Sequence, residues 1–416
     1  MIDALKNLIE DKITRPVRTR GDCELISNAI TEILDKDISY STIKRFYGLS
    51  PSTKPNKNTL NILSQFVGYK NYQHFILNYP NKDNIDLYQT IYKAVAKDDD
   101  HAIINLVIKA KKTSEHFIDF IIFLIRELLH DKNYPLMDSI FKLDALKFNS
   151  FTYSEALKLG NSIGFLLRKK PTTNSLLLSN VNYIECVYLT FVDYSSLNGY
   201  YGEQTEIIKR NELDKEITLF NSAILAFRNF LNQKPKKKIS GDSIYSKQLN
   251  PILCSRLLAL ELIADDRDNS TEILDNYFAV HSKKSLILDY SYELFYTAIL
   301  TKDFMLMNYL IEEIHLDTSI ELYYQKHHLN SFYLMCMFYF KHSKKDPEQK
   351  KYARLFNYSH CAYSYEEFIT IIHQVYLFGT AITANKKDQI KKQYTKLTKQ
   401  LNYPYFSEEF LLDYFK

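Results

Sequence analysis

The sequence predicts an all-α protein, in which a small N-terminal bundle of short helices is followed by a long, irregular α-solenoid of helical hairpins. Apolar residues recur at positions i, i+3, i+4 and i+7 along almost every segment, and strand-like alternation is rare. Only 9 Gly and 10 Pro occur in 416 residues, so few positions interrupt the helices. A chain of this length exceeds one ordinary compact core, which favours two or more domains or an extended array.

Four or five short helices are predicted in the N-terminal region, over residues 2–12, 22–34, 41–47, 57–67 and 72–77. The stripe that we expect to be buried in the second helix consists of Leu25, Ile26, Ala29, Ile30, Ile33 and Leu34. In the fourth helix it consists of Leu60, Ile62, Leu63, Phe66 and Val67. Pro80 lies in a polar segment after these helices, so the sequence predicts one domain over residues 1–79 and a second over residues 80–416.

The second region repeats a pattern in which one helix ends in a turn rich in Lys or Asp and another amphipathic helix follows at once. Examples are YKAVAKDDDHAIINLVIKA, YTAILTKDFMLMNYLIEEI and FGTAITANKKDQIKKQYTKL. Hairpins that begin near Leu286, Leu322 and Ser364 are about 36 to 42 residues apart, within the range of helical repeats. Each hairpin has an apolar face that only a neighbouring hairpin can cover, which is typical of a solenoid.

Two polar segments interrupt this array, LLRKKPTTNS and NQKPKKKISGD, and the second predicts an internal break near residues 232–243. Lys234, Lys236, Lys237 and Lys238 flank Pro235 there. A nucleic-acid or localisation patch is one interpretation of this run. We favour a solvated loop between hairpins, since neither a helix nor interleaved aromatic residues accompany the lysines.

Positive charge is concentrated in the N-terminal region, although the net charge of the whole chain is only +4. Between residues 12 and 72, ten basic residues stand against five acidic ones, and the rest of the chain is nearly neutral. Such a concentration of charge on one small domain indicates a surface that binds phosphate groups.

The short helix at residues 41–47 has a pattern suited to the major groove of DNA. Ile43, Phe46 and Tyr47 are spaced to face inward, which leaves outward side chains that can contact bases or phosphates. The DNA-contacting residues that we predict in and just before this helix are Tyr40, Ser41, Thr42, Lys44 and Arg45. Further DNA-contacting residues are predicted outside it, namely Arg15, Arg18, Arg20, Lys54 and Lys57.

Two of these segments, STIKRFYG and PNKNTLNILSQFVGY, resemble the third and fourth helices of the lambda-repressor-like helix-turn-helix family. The resemblance covers residues up to about 79 and implies a bundle of about five helices, with Ser41, Thr42, Lys44 and Arg45 on the DNA side. A domain of this kind joined to a helical-repeat region is similar to peptide-sensing bacterial transcription regulators. In that class, tetratricopeptide-like arrays dimerise and bind a small ligand.

Several other classes of protein lack support in the sequence. Five scattered cysteines without a C-x-x-C pair predict neither a disulfide framework nor a zinc site. Phosphate-binding loops and hydrolase or kinase motifs are missing, and the eleven histidines have no ligand spacing. We therefore expect no enzyme, no metal and no cofactor. The amphipathic start and the short apolar runs predict neither a secretory signal nor a membrane span, so we expect a cytoplasmic protein.

The leading hypothesis is a DNA-binding transcription regulator whose repeat region forms a homodimer and senses a peptide or protein ligand. The alternative is a cytosolic α-solenoid scaffold whose N-terminal bundle binds only protein. Aromatic side chains left over from the core are the expected ligand surface, but the sequence assigns no specific ligand residues. The aromatic residues from which this surface would be drawn are Tyr290, Tyr292, Phe295, Tyr296, Tyr323, Tyr324, Phe332, Tyr333, Phe338 and Tyr339.

Overall fold

The computed structural model describes residues 2–51, 55–78, 82–95, 97, 99–211, 213–235, 239, 241–264, 270–314 and 323–416. Over these residues the protein is all-α, and no strand occurs among them. The chain divides into two compact units, Met1–Tyr92 (unit 1) and Lys93–Lys416 (unit 2). None of the helices in the described ranges is both long enough and apolar enough to cross a membrane.

Unit 1 is a bundle of short helices. Their bounds are α1 Ile2–Ile13, α2 Arg20–Leu34, α3 Tyr40–Phe46, α4 Lys57–Phe66, α5 Tyr72–Asn78 and α6 Lys82–Val95, the last of which runs across the unit boundary. The first five begin and end within two residues of the predicted helices. Helix α2 packs against α3 and α4, and α4 also packs against α1 and α5.

Side-chain caps explain where these helices begin. Thr19 and Asp22 form a reciprocal capping box at the start of α2, with each side chain bonded to the other residue's backbone N–H. The Ser39 hydroxyl accepts from Thr42 N at the start of α3, and Asn56 accepts from Thr59 N at the start of α4. These bonds satisfy backbone donors that a helix N-terminus leaves free.

Two glycines terminate α3 and α4 in the same way. Gly48 and Gly68 have φ angles of 74° and 95°, in the left-handed region that glycine adopts without a steric penalty. Beyond Gly48, the N–H of Leu49 donates to the carbonyl of Lys44 over 2.9 Å. This pairing is the Schellman motif, which turns the chain sharply at the end of a short helix.

The core of unit 1 draws apolar residues from α1 to α5 and from the segments that precede α2 and α3. Its buried members are Leu5, Ile9, Val17, Cys23, Ile26, Ile30, Ile38, Ile43, Phe46, Ile62, Leu63, Phe66 and Phe75. The predicted α2 stripe was too wide, because Leu25 is 39% exposed and Ile33 is 55% exposed. Neighbouring helices cover only the side of α2 that carries Ile26 and Ile30.

Unit 2 contains the remaining helices. Their bounds are α7 Asp100–Thr113, α8 Phe117–His130, α9 Tyr134–Phe141, α10 Tyr153–Lys169, α11 Val181–Tyr183, α12 Tyr200–Ile208, α13 Lys215–Leu231, α14 Pro251–Ala264, α15 Ser270–Val280, α16 Ile287–Thr301, α17 Phe304–Glu313, α18 Tyr323–His342, α19 Asp346–Leu355, α20 Glu366–Thr380, α21 Ala384–Leu401 and α22 Glu408–Leu412. A π-helical turn, Ile184–Tyr188, continues α11, and a 3₁₀ turn at Tyr194–Ser196 precedes α12.

The later helices of unit 2 form the predicted hairpins. Helices α16, α18 and α20 begin at Ile287, Tyr323 and Glu366, each within two residues of the predicted start. A short turn joins each of them to the next helix. Helix α16 packs against both α14 and α18, so successive hairpins cover one another in the manner of a solenoid.

Unit 2 also contains contacts between segments far apart in sequence, which a simple row of hairpins lacks. Tyr194 is fully buried, and its hydroxyl donates to Glu293 Oε2 over 2.7 Å. The Arg256 guanidinium donates to the same hydroxyl over 3.0 Å and to Glu293 Oε1 over 2.5 Å. The hydroxyl of Tyr403 donates to the Tyr194 carbonyl over 2.7 Å. This buried polar cluster therefore joins α14 and α16 to the 3₁₀ turn and to the C-terminal segment.

Candidate nucleic-acid interface

Helix α3 has one buried face and one exposed face. Ile43 is fully buried, Phe46 is nearly so, and the half-buried Tyr47 donates from its hydroxyl to the Lys6 carbonyl over 3.2 Å. These three residues were predicted to face inward, and their burial holds α3 against α1 and α2. The opposite face of the helix is consequently free of the core.

The residues predicted to contact DNA from α3 lie on or beside this outer face. Tyr40, Ser41 and Arg45 are exposed, whereas Thr42 and Lys44 are half-buried. The Arg45 side chain folds back along its own helix, where Nε donates to the Ser41 carbonyl over 3.2 Å. No acidic partner of Lys44 or Arg45 occurs among the residues that the structure describes.

Ser39, which was not among the predicted DNA-contacting residues, organises the start of the outer face. Its Oγ lies 2.9 Å from the hydroxyl oxygens of both Ser41 and Thr42, in addition to capping Thr42 N. The sequence signal was present, because a serine directly before a short helix is a preferred N-cap. Ser39 therefore holds two of the predicted DNA-contacting hydroxyls in fixed positions.

The turn between α2 and α3 is held by side chains of α2. Asp35 adopts a left-handed conformation with φ 52°, which reverses the chain direction at the end of α2. The Ser27 hydroxyl donates to the Ile38 carbonyl over 2.5 Å, and the Thr31 hydroxyl donates to the Lys36 carbonyl over 3.3 Å. The path of the chain from α2 into α3 is thus held by hydrogen bonds to the turn as well as by the core.

Two of the predicted arginines are engaged by carboxylates. Arg15 lies 3.0 Å from Asp22 Oδ1, and Arg20 Nε lies 2.7 Å from Glu24 Oε1. Hydrogen bonds from the Thr19 hydroxyl and from two backbone N–H groups lower the pKa of Asp22, so this carboxylate stays charged near neutral pH. The positive charge available from Arg15 and Arg20 is therefore smaller than the sequence alone indicates.

Arg18 and Lys57 have no acidic partner in the described ranges. Arg18 is exposed between the two paired arginines, and Lys57 is exposed as the first residue of α4. Lys54, which was also predicted to contact DNA, lies outside the described residues. Of the predicted DNA-contacting cations, Arg18, Lys44, Arg45 and Lys57 are accordingly without an acidic partner among the residues that the structure describes.

The expected aromatic ligand surface of unit 2 is mostly core. Tyr290, Tyr292, Phe295, Tyr296, Phe332 and Phe338 are buried, and the side chain of Tyr323 lies outside the described residues. Tyr324 packs edge-on against Tyr153 with ring centroids 5.3 Å apart, and Tyr333 packs against Tyr352 at 5.9 Å. The half-buried rings are engaged within the unit, so ligand residues stay unassigned.

The adjacent histidines of α18 are occupied by internal contacts. His328 Nδ1 lies 2.8 Å from Asp289, and His327 Nε2 lies 2.6 Å from the Tyr292 hydroxyl. Burial lowers the pKa of His327, which accordingly stays neutral at pH 7. Within the described ranges, no group of three or more His, Cys, Asp or Glu side chains is arranged to hold a metal ion.

Comparisons with known proteins assign no family to this geometry. No protein-family model, no curated protein sequence and no solved structure matches the chain. The candidate interface is therefore defined by its own side chains, namely the exposed polar face of α3, together with the predicted DNA-contacting cations Arg18 and Lys57, which have no acidic partner in the described ranges.

Proposed function

We propose that this chain is a bacterial, DNA-binding transcription regulator that reads DNA with helix α3. One observation carries the proposal: α3 is anchored by Ile43 and Phe46, while Ser41 and Arg45 are exposed on its opposite side. A reading helix needs both properties, because the domain must hold it rigidly while its outer side chains enter the major groove.

The chemistry of the outer face supports this proposal. The Arg45 guanidinium can form a bidentate contact to guanine, and serine or threonine hydroxyls can donate to or accept from several bases. Lys44 and Arg18 are suited to phosphate oxygens, which fix the register of a protein on the duplex without reading sequence. Base readout thus falls to Arg45, Ser41 and Thr42 in this proposal.

Unit 2 supplies dimerisation and sensing in the same proposal. An array of helical hairpins offers long surfaces for a second copy and for a peptide or protein ligand. A dimer would present two α3 helices to half-sites about one DNA turn apart. A ligand that binds one arrangement of the dimer more tightly would shift that equilibrium and so change the affinity for DNA. We place this regulator in the cytoplasm.

A second candidate function is a protein-interaction scaffold, and a specific observation favours it. The outer side of α2 exposes Leu25 and Ile33, which is an apolar surface suited to another protein. Asp35 and Asp37 are exposed in the turn just before α3, where they would face phosphate groups unfavourably. In this alternative, unit 1 binds a protein and not DNA.

Selection of bound duplexes from a random-sequence pool, followed by gel shift, separates the two candidates. If the chain is the regulator, the selection enriches one sequence motif, and Arg45→Ala weakens the preference at one position of that motif. If it is the scaffold, the selection enriches no motif. Light scattering at micromolar concentration tests the dimer, and a chain that stays monomeric with and without the selected DNA would contradict the regulator mechanism.

A further inference from the structure

Helix α21 carries a lysine face on the side turned away from its neighbours in unit 2. Ile390, Tyr394 and Leu401 are buried against the rest of unit 2. With 3.6 residues per turn, the opposite side of the helix is occupied by residues 392, 396 and 399. These residues are Lys392, Lys396 and Lys399, here called the lysine face, and all three are exposed.

The charges of the lysine face have no partner within the described part of the protein. Over the part of the chain that the structure describes, none of the three lysines forms an ion pair or a side-chain hydrogen bond. Other lysines of α21 do have partners. Lys391 lies 2.6 Å from Glu408, and Lys387 lies over the ring of Phe378 at 5.4 Å. The contrast indicates that the lysine face is available to an external anion.

The composition of the rest of the exposed surface of α21 also favours an anion. Asp388 is its single acidic residue. Exposed neutral amides that can donate to phosphate oxygens are present at Asn385, Gln389, Gln393 and Gln400. The three lysines lie within about 10 Å along the helix axis, at 1.5 Å per residue. This span is about one Debye length at 0.1 M salt, so the three charges act together.

We propose that the lysine face of α21 binds the phosphodiester backbone of a nucleic acid, without reading its sequence. The proposal rests on the function proposed above and adds a second contact surface, in unit 2, to the DNA-bound protein. Lysine is a common phosphate-binding residue that acts as a point charge. The apolar side of α21 faces the core, so this helix has no side chains to insert into a bilayer, as an interfacial helix requires. Ile382, exposed just before α21, makes a vesicle control necessary.

The test compares two triple variants of the full-length chain. One replaces the lysine face, as Lys392→Gln, Lys396→Gln and Lys399→Gln. The control removes the same charge from three exposed lysines of unit 2 that have no ion pair in the described ranges, Lys247→Gln, Lys283→Gln and Lys284→Gln. Fluorescence anisotropy measures binding to the selected duplex, to a random duplex and to single-stranded RNA of about 30 nucleotides, from about 50 to 300 mM salt.

Each phosphate contact contributes about 0.9 to the slope of log affinity against log salt concentration for duplex DNA. We expect the slope to become less steep by about 2 to 3 for the lysine-face variant on both duplexes, and to change by about half as much or less for the control. The preference for the selected duplex should be unchanged, because that preference depends on α3 in unit 1. A similar reduction on RNA would show that the face accepts either backbone.

Equal slopes for the two variants would overturn the proposal, while a retained sequence preference would leave the proposed function intact. If the wild-type protein binds neither duplex, the proposed function is refuted as well. A slope change on RNA alone would assign the lysine face to RNA and overturn its role on DNA. Vesicles of phosphatidylglycerol provide the last control, and lost vesicle binding with unchanged duplex slopes would assign the face to a membrane surface.

Discussion

The guanidinium of Arg20 lies over the ring of Tyr40, 4.7 Å from its centroid, and so joins the first residue of α2 to the first residue of α3. Glu24 holds the other side of this guanidinium through its 2.7 Å ion pair. A cation over an aromatic ring is attracted electrostatically by the negative face of that ring. The start of the proposed reading helix is therefore positioned partly by an arginine that also borders the candidate DNA surface.

Releasing Arg20 from Glu24 should strengthen DNA binding. Glu24→Gln removes a negative charge from the interface and frees the guanidinium for phosphate, so we expect about a two- to fivefold gain in affinity at low salt. Glu32→Gln, an exposed residue near the other end of α2, removes the same charge and is the matched control. An equal gain in affinity for both variants would show that the loss of one negative charge, and not the release of Arg20, strengthens DNA binding.

Arg45 and Arg18 should respond differently to alanine substitution. Arg45→Ala should cost about 1 to 3 kcal/mol on the preferred sequence and relax the preference at one base pair. Arg18→Ala should weaken binding to all sequences and make the salt slope less steep by about 1. Titrations of one preferred and one unrelated duplex measure both effects, and sequence-independent losses of equal size for the two variants would contradict the assignment of α3.

The buried ion pair of unit 2 should be far more sensitive than an exposed one. Glu293→Gln leaves the Arg256 charge buried without its partner, and we expect a loss of about 3 to 5 kcal/mol in the free energy of unfolding. Glu408→Gln makes the same chemical change in the exposed Lys391 pair and should cost about 1 kcal/mol or less. Urea denaturation followed by circular dichroism measures both, and similar losses would refute the role given to the buried cluster.

His373 should make the folded chain less stable in acid. Burial lowers the pKa of His373 from 6.5 to about 4, and its Nδ1 lies 2.6 Å from the Tyr358 hydroxyl. The unfolded chain takes up a proton near pH 6.5 and the folded chain only near pH 4, so stability is complete above this interval and is lost as the pH falls through it. The loss from this one group amounts to about 3 kcal/mol.

His373→Phe should remove that contribution and flatten the decline in stability between pH 6.5 and pH 4. Urea unfolding at several pH values in this interval compares the variant with the wild type. His130→Gln, at a strongly exposed histidine, is the control and should leave the wild-type slope unchanged. An unaltered slope in the His373 variant would assign the acid sensitivity to other groups.

The helical-repeat region should fold without the N-terminal helices. A fragment of residues 84–416 retains all of unit 2, whose hairpins and buried Tyr194 cluster are internal to it. We expect a cooperative thermal transition and a helical circular dichroism spectrum, because neighbouring hairpins supply its stability. An unfolded fragment would show that unit 2 depends on the N-terminal helices.

Local signals in the sequence were sufficient to predict the first five helices to within two residues at each end, and the starts of three later hairpins. The periodicity of apolar residues, the glycines Gly48 and Gly68, and polar residues before each helix act within a few positions of the chain. For the same reason the inward side of α3 could be predicted, since Ile43 and Phe46 are neighbours on one side of a single helix. No knowledge of the surrounding elements is needed for such inferences.

Which apolar side chains are buried, and which charged side chains are paired, was decided only by the tertiary structure. Leu25 and Ile33 fit the α2 stripe by spacing, but neighbouring helices do not cover that side, and they are exposed. Arg20 and Tyr40 meet because two helices pack together, and Tyr194 meets Glu293 across 99 residues of chain. The sequence by itself determined which segments are helical, because helix formation is local. The exposed surface and the engaged charges depend on which distant segments come into contact.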